Sequence, residues 1–153
     1  MKRHVGKLFS FPVDDQIAYA ICTDFDEEFG YLMAFMNVGF VIEEAIEGGV
    51  FFYSYVWLDK EIRARRINPV GRVDGFKPFT PTMRGGGNVL PSGYSLPWYI
   101  VAQGERRGVN ADFEGLEALS DQRIMGLEAV VNSYKKNLSS KELFHQWSRD
   151  TRS

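Results

Sequence analysis

The side chains in this sequence best suited to act as nucleophiles, bases or metal ligands are Cys22, His4 and His145. They stand far apart along the chain and match no spacing by which cysteine and histidine hold a transition metal, so no metal site is expected. Nucleophilic catalysis needs a nucleophile, a base and a group that orients the base. Cys22 and His145 would have to meet purely in space, and no Gly-x-Ser-x-Gly elbow is present. Cys22 lies in the apolar run Ile17-Ala18-Tyr19-Ala20-Ile21-Cys22, where a lone thiol reads as a small buried hydrophobe. Arg84-Gly85-Gly86-Gly87-Asn88 offers consecutive backbone donors to an anion. It lacks the Gly-Lys-Ser/Thr of a P-loop and reads as a flexible loop. The expectation is no catalytic residue, no metal and no cofactor: the chain is not read as an enzyme.

Carboxylates are plentiful and clustered: Asp14 and Asp15, Asp24 and Asp26, Glu27 and Glu28, Glu43 and Glu44, with Glu47 close by. Acid–base catalysis needs carboxyl groups whose surroundings push their pKa values apart. These groups fall mostly in polar turns and read as solvated, which suits an interaction surface better. Charge is also segregated. Residues 1–61 carry 11 acidic and 4 basic side chains, whereas residues 62–109 carry 2 and 8, within a total of −2. Separation of this kind is a statement about partners rather than about fold. The basic stretch holds Arg63, Arg65, Arg66, Arg72, Lys77, Arg84, Arg106 and Arg107, with Phe76 and Phe79 near. That composition is compatible with a nucleic-acid-associated protein. The preferred reading is pairing within the chain, because no nucleic-acid motif is present and the sequence pI is about 5.7.

The elements that must position these groups read as follows. Gly6–Val13 alternates, with Leu8 and Ser10 facing one way and Phe9 and Phe11 the other, and Pro12 marks an edge or an end. Ile17–Thr23 and Phe29–Asn37 continue an antiparallel meander. Residues 40–47 fit either a short helix or a strand. Val50–Leu58 is apolar on both faces and is expected as a central, doubly covered strand. Asp59–Arg66 fits a helical turn, with a strand left open as the alternative, and Asn68-Pro69 breaks it. Residues 78–97 are rich in Pro and Gly and read as loop, with short edge strands near Phe76 and Phe79. Trp98–Gln103 is expected as the last strand. Ile124, Leu127, Val131, Tyr134 and Leu138 mark one face of a helix. A capping box from Ser139 to Glu142 opens a final helix with Leu143, Phe144 and Trp147 on its apolar side.

The resulting fold class is α+β. An antiparallel, strongly twisted sheet or partly open barrel of about five to seven strands carries C-terminal helices packed on it. A length of 153 residues with 44% apolar side chains suits one core-forming domain. Residues 6–113 form its sheet-rich part and residues 114–150 its helical part. One cysteine allows no intrachain disulfide. The basic opening Met1–Lys7 is followed by no apolar stretch of a signal peptide, and no segment suits a membrane span. A cytoplasmic protein with no membrane partner is expected.

Two segments resemble one family. Gly6-Lys7-Leu8-Phe9-Ser10-Phe11-Pro12-Val13 followed by Ile17-Ala18-Tyr19-Ala20-Ile21 resembles the opening hairpin of the Imm26-type immunity proteins of bacterial polymorphic toxin and contact-dependent inhibition systems. Trp98-Tyr99-Ile100-Val101-Ala102-Gln103-Gly104, with Phe113 following, resembles the tryptophan strand near the end of that family's domain. The resemblance implies a bacterial, cytoplasmic toxin inhibitor without catalysis of its own, which works by protein–protein interaction with a cognate toxin domain. Many such toxins are nucleases with a basic groove for phosphates, and an acidic surface would steer toward that groove and block it. The residues expected to form that surface are Asp14, Asp15, Asp24, Asp26, Glu27, Glu28, Glu43, Glu44 and Glu47.

Overall fold

A computed structural model describes residues 2–37, 49–87, 90–94, 96–137, 139, 140 and 142. The alternating N-terminal pattern becomes strand β1 (Lys7–Val13), followed by β2 (Gln16–Asp26), β3 (Gly30–Met36) and β4 (Val50–Val56). Helix α1 (Leu58–Arg63) and β5 (Asn68–Arg72) come next. Strands β6 (Met83–Gly86), β7 (Trp98–Ala102), β8 (Glu105–Val109) and β9 (Ser120–Asp121) precede helix α2 (Leu127–Lys135). The fold is thus mainly antiparallel sheet with helices, and neither of the two sheets closes into a barrel.

The chain divides into two compact units, Met1–Thr80 with Arg123–Asn137, and Pro81–Gln122 with Leu138–Ser153. In the first, five strands pair antiparallel in the order β4-β3-β2-β1-β5. One face of this sheet gathers Phe9, Phe11, Ala20, Cys22, Met33, Phe35, Phe52 and Val56 into the core. Phe9, Phe11 and Phe35 are at most 1% exposed, and each such burial stabilises by roughly 1.5–3 kcal/mol. Helix α2 lies against this core through Leu127 and Val130, with Val131 and Tyr134 partly buried beside them. The Tyr134 hydroxyl donates to the Met36 carbonyl.

Several expectations are corrected here. Residues 50–58 do not form a central strand: among the described residues β4 is the outer strand of its sheet. Among the described residues its outer edge is met by a short crossing at Tyr55, whose N–H donates to the Arg123 carbonyl at 3.2 Å and whose carbonyl accepts from Met125 at 2.8 Å. Its second apolar face is used in a small separate cluster of Tyr53 with Tyr19, Ile21, Ala34 and Met36. The helix ends before Asn68-Pro69, and the chain continues from there as β5, a strand not expected from the sequence. Pro69 sits opposite Phe9 beside an irregularity in the ladder, on the edge strand β5, where a missing N–H costs nothing. No strand forms at Phe76 or Phe79, although the Phe79 N–H donates to the Thr23 carbonyl at 3.0 Å. Residues 40–47 and the helix expected from residue 143 onward lie outside the described residues.

The second unit holds a four-stranded sheet in the order β8-β7-β6-β9, with β6 and β9 parallel. Strand β6 lies where a loop was expected, and β7, expected as the last strand, is followed by β8 and β9. The glycines at the end of β6 and just after it allow a close approach. A β-carbon on Gly85 would collide with the Tyr99 ring, and one on Gly87, the residue after β6, with the Trp98 indole. Bare backbone lets both aromatic rings of β7 lie flat across it. The center of the unit is Arg84, fully buried. Its Nε donates to Asp121 Oδ1 at 2.9 Å, and its terminal nitrogens donate to the carbonyls of Leu116, Glu117 and Ser140 at 3.1, 2.6 and 2.8 Å.

Candidate partner-binding site

The long strand β2 decides where the acidic side chains go. Asp14 and Asp15 form the turn before it, and Asp24 to Glu28 end it and turn into β3. Asp15 and Asp24 are nine positions apart along extended chain, a span of about 30 Å. The expected surface is therefore two separate groups. Asp14 is paired with Lys135 at 3.2 Å, and Asp15 is exposed. Glu43, Glu44 and Glu47 lie outside the described residues.

Asp24, Asp26, Glu27 and Glu28 are brought together at one corner, and each has a definable local role. Asp26 Oδ1 accepts from the N–H groups of Glu28 and Phe29 at 2.8 and 3.0 Å, which closes the β2–β3 turn. Gly30 then takes φ +98°, and a β-carbon there would come within 3.0 Å of the Val56 carbonyl, so only glycine suits it. Asp24 Oδ1 accepts from the Phe25 N–H at 2.9 Å, and its Oδ2 accepts from Thr80 Oγ1 at 2.6 Å. Glu27 and Glu28 are exposed. Lys2 stands 4.0 Å from Glu27 and 4.9 Å above the Phe25 ring.

Aromatic side chains interleave with these carboxylates. Phe29 and Tyr55 are 5.1 Å apart between ring centers. Burial pushes the Tyr55 hydroxyl up to about 12, and the charges of Asp26 and Asp24 add to the effect. Trp57 is 51% exposed and lies beside Gly30. An open cleft of about 550 Å³ adjoins the corner, lined by Lys2, Val5, Asp24, Phe25 and Pro78. Chemically the corner offers negative charge around a half-exposed indole, a combination that suits binding of a cationic protein surface.

Trp57 and Thr80 are the members that sequence reasoning missed. Trp57 shares an alternation with Phe51, Tyr53 and Tyr55 and reads as core. Its position at the junction between β4 and α1 turns it outward. Thr80 reaches Asp24 across 56 positions, and no local pattern announces that contact.

Several of the remaining chemistry-bearing groups are engaged internally. Cys22 is fully buried, and burial raises its thiol to about 12. Its one hydrogen bond among the described residues goes to the Asp24 carbonyl at 3.7 Å. His145 lies outside the described residues. His4 is buried, with Nε2 2.9 Å from Asp59 Oδ1 and Nδ1 3.4 Å from Lys7 Nζ. An ammonium only donates, so Nδ1 accepts and Nε2 carries the proton that faces Asp59. In the arginine-rich stretch, Arg66 forks onto the buried Glu61 at 2.6 and 3.3 Å. Arg72 donates to the carbonyls of Val5 and Arg3, both at 3.1 Å. Among the described residues no group of three or more His, Cys, Asp or Glu side chains is arranged to hold a metal ion, and no helix is long and apolar enough to cross a membrane.

Compared with known proteins, the chain matches no family model, no curated protein and no solved structure.

Proposed function

We propose that this chain is a cytoplasmic immunity protein that binds and neutralises a cognate toxin domain, presenting the corner from Asp24 to Glu28 to a basic surface on it. The observation that carries this reading is the gathering of Asp24, Asp26, Glu27 and Glu28 at the turn that Asp26 closes, with the half-exposed Trp57 against Gly30 at its end. Exposed carboxylates raise the association rate with a cationic partner. A tryptophan anchor supplies the short-range energy that slows dissociation. The hairpin is ordered before binding, which spares the cost of ordering it on contact. A nucleic-acid role for the arginine-rich stretch has less support, because Arg66, Arg72 and Arg84 are committed to internal partners.

Co-expression with the product of the adjacent upstream gene, which the reading expects to carry a toxin domain, tests it. The chain should co-purify with that domain and restore growth. Trp57→Ala should weaken the complex about tenfold or more. Glu27→Lys with Glu28→Lys should slow association and flatten its salt dependence. Absence of both a complex and growth rescue would sink the proposal.

A further inference from the structure

The β7–β8 hairpin turns through Gln103 and Gly104, both left-handed with φ 52° and 80°, as a two-residue type I′ turn requires. Ala102 and Glu105 flank the turn and form its closing hydrogen-bonded pair. In an antiparallel ladder such pairs alternate, so Glu105, Arg107 and Val109 direct their backbone groups to β7. Arg106 and Gly108 therefore direct their N–H and C=O groups off the sheet. Strand β8 is outermost in its sheet and exposed from Glu105 to Gly108. Among the described residues no hydrogen bond reaches those outward groups.

The side chains add a charge preference. Arg106 lies 4.1 Å above the Tyr99 ring, and Arg107 lies 5.6 Å from the Phe113 ring center. Successive residues of a strand face opposite ways, so one guanidinium stands on each side of the edge. Each is steadied by an aromatic ring, and among the described residues neither is neutralised by a carboxylate. An edge with this arrangement discourages a second copy of the chain. The two antiparallel registers centered on the arginines set Arg106 against Arg106 or Arg107 against Arg107, and like charges directly opposite destabilise.

We propose that the free edge of β8 takes up an extended acidic segment of a partner protein as an added strand. The backbone ladder supplies affinity, and two successive acidic residues, one per face, meet Arg106 and Arg107. This surface is independent of the acidic corner and does not rest on the toxin-binding reading.

The test uses the full chain and a capped Thr-Val-Glu-Glu-Val-Thr peptide, with Thr-Val-Lys-Lys-Val-Thr as control, followed by NMR and amide hydrogen exchange. The Glu-Glu peptide should slow exchange at the Arg106 and Gly108 amides, and the Lys-Lys peptide should not. Gly108→Pro removes an outward donor while leaving the ladder to β7 intact, and should weaken binding about tenfold, the worth of one lost hydrogen bond. Arg106→Glu with Arg107→Glu should reverse the preference between the two peptides. The proposal is overturned if the Glu-Glu peptide does not bind at millimolar concentration, or if Gly108→Pro leaves its binding unchanged. Displacement of the peptide by oligothymidylate would assign the edge to nucleic acid instead. A dimer abolished by Gly108→Pro would assign it to a second copy.

Discussion

The Tyr99 ring lies across Gly85 so closely that the glycine has no room for a β-carbon. The two residues are directly paired in adjacent strands, and the Tyr99 hydroxyl reaches Gln122 at 3.3 Å. Ring and bare backbone thus form one packed unit. Gly85→Ala should destabilise by about 1–3 kcal/mol, the usual cost of overpacking. Combined with Tyr99→Ala, much of that cost should vanish, because the clashing ring is gone. Urea unfolding of the two single variants and the double variant measures this coupling. Simple additivity would show that the ring moves aside freely.

Arg84 is a buried charge with every described partner in place, so it should tolerate loss badly. Arg84→Met leaves Asp121 and three carbonyls without their donor, which is expected to cost about 3–5 kcal/mol. Amide exchange should accelerate first around residues 116–121, where the guanidinium holds the carbonyls of Leu116 and Glu117 and the carboxylate of Asp121. Unchanged exchange there would contradict the role assigned to it.

Asp59 gives the chain an acid-dependent component of stability. The hydrogen bond from His4 first, and that from Arg3 second, hold its carboxyl below the ordinary value. A carboxyl lowered in the folded state binds fewer protons there than in the unfolded chain. Its contribution is therefore complete above about pH 4, the unfolded value, and is lost as pH falls through the lowered folded value. The side chain is 46% exposed, so solvent screening keeps the effect small. Asp59→Asn should lower the urea midpoint at pH 5.5, and that deficit should shrink at pH 3. A deficit equal at both pH values would mean that the carboxyl charge is not involved.

The strands β1 to β4 are legible in the sequence, because each carries an apolar alternation on its own, whereas residues 59–66 fit helix or strand until packing decides. Strands β6 and β8 are not legible. Gly85 and Gly86 have no side chains to alternate, and Glu105-Arg106-Arg107-Gly108 is polar because an edge strand buries little. The site divides the same way. Asp24, Asp26, Glu27 and Glu28 are neighbors in sequence and are found together. Trp57 and Thr80 arrive through pairing across the sheet. Asp14 and Asp15 look close to them along the chain, yet an extended strand carries them to its far end.

The sheet of the first unit is built from residues before Thr80, but Leu127 and Val130 belong to its core. During synthesis, Phe9, Phe11, Phe35 and Phe52 are therefore in place long before the helix that helps to cover them exists. The whole stretch from Pro81 to Gln122 must be made in the interval. Completion of the first unit therefore waits for a segment translated after all of Pro81 to Gln122, and until then the apolar face that α2 covers is open to chaperones and to other chains.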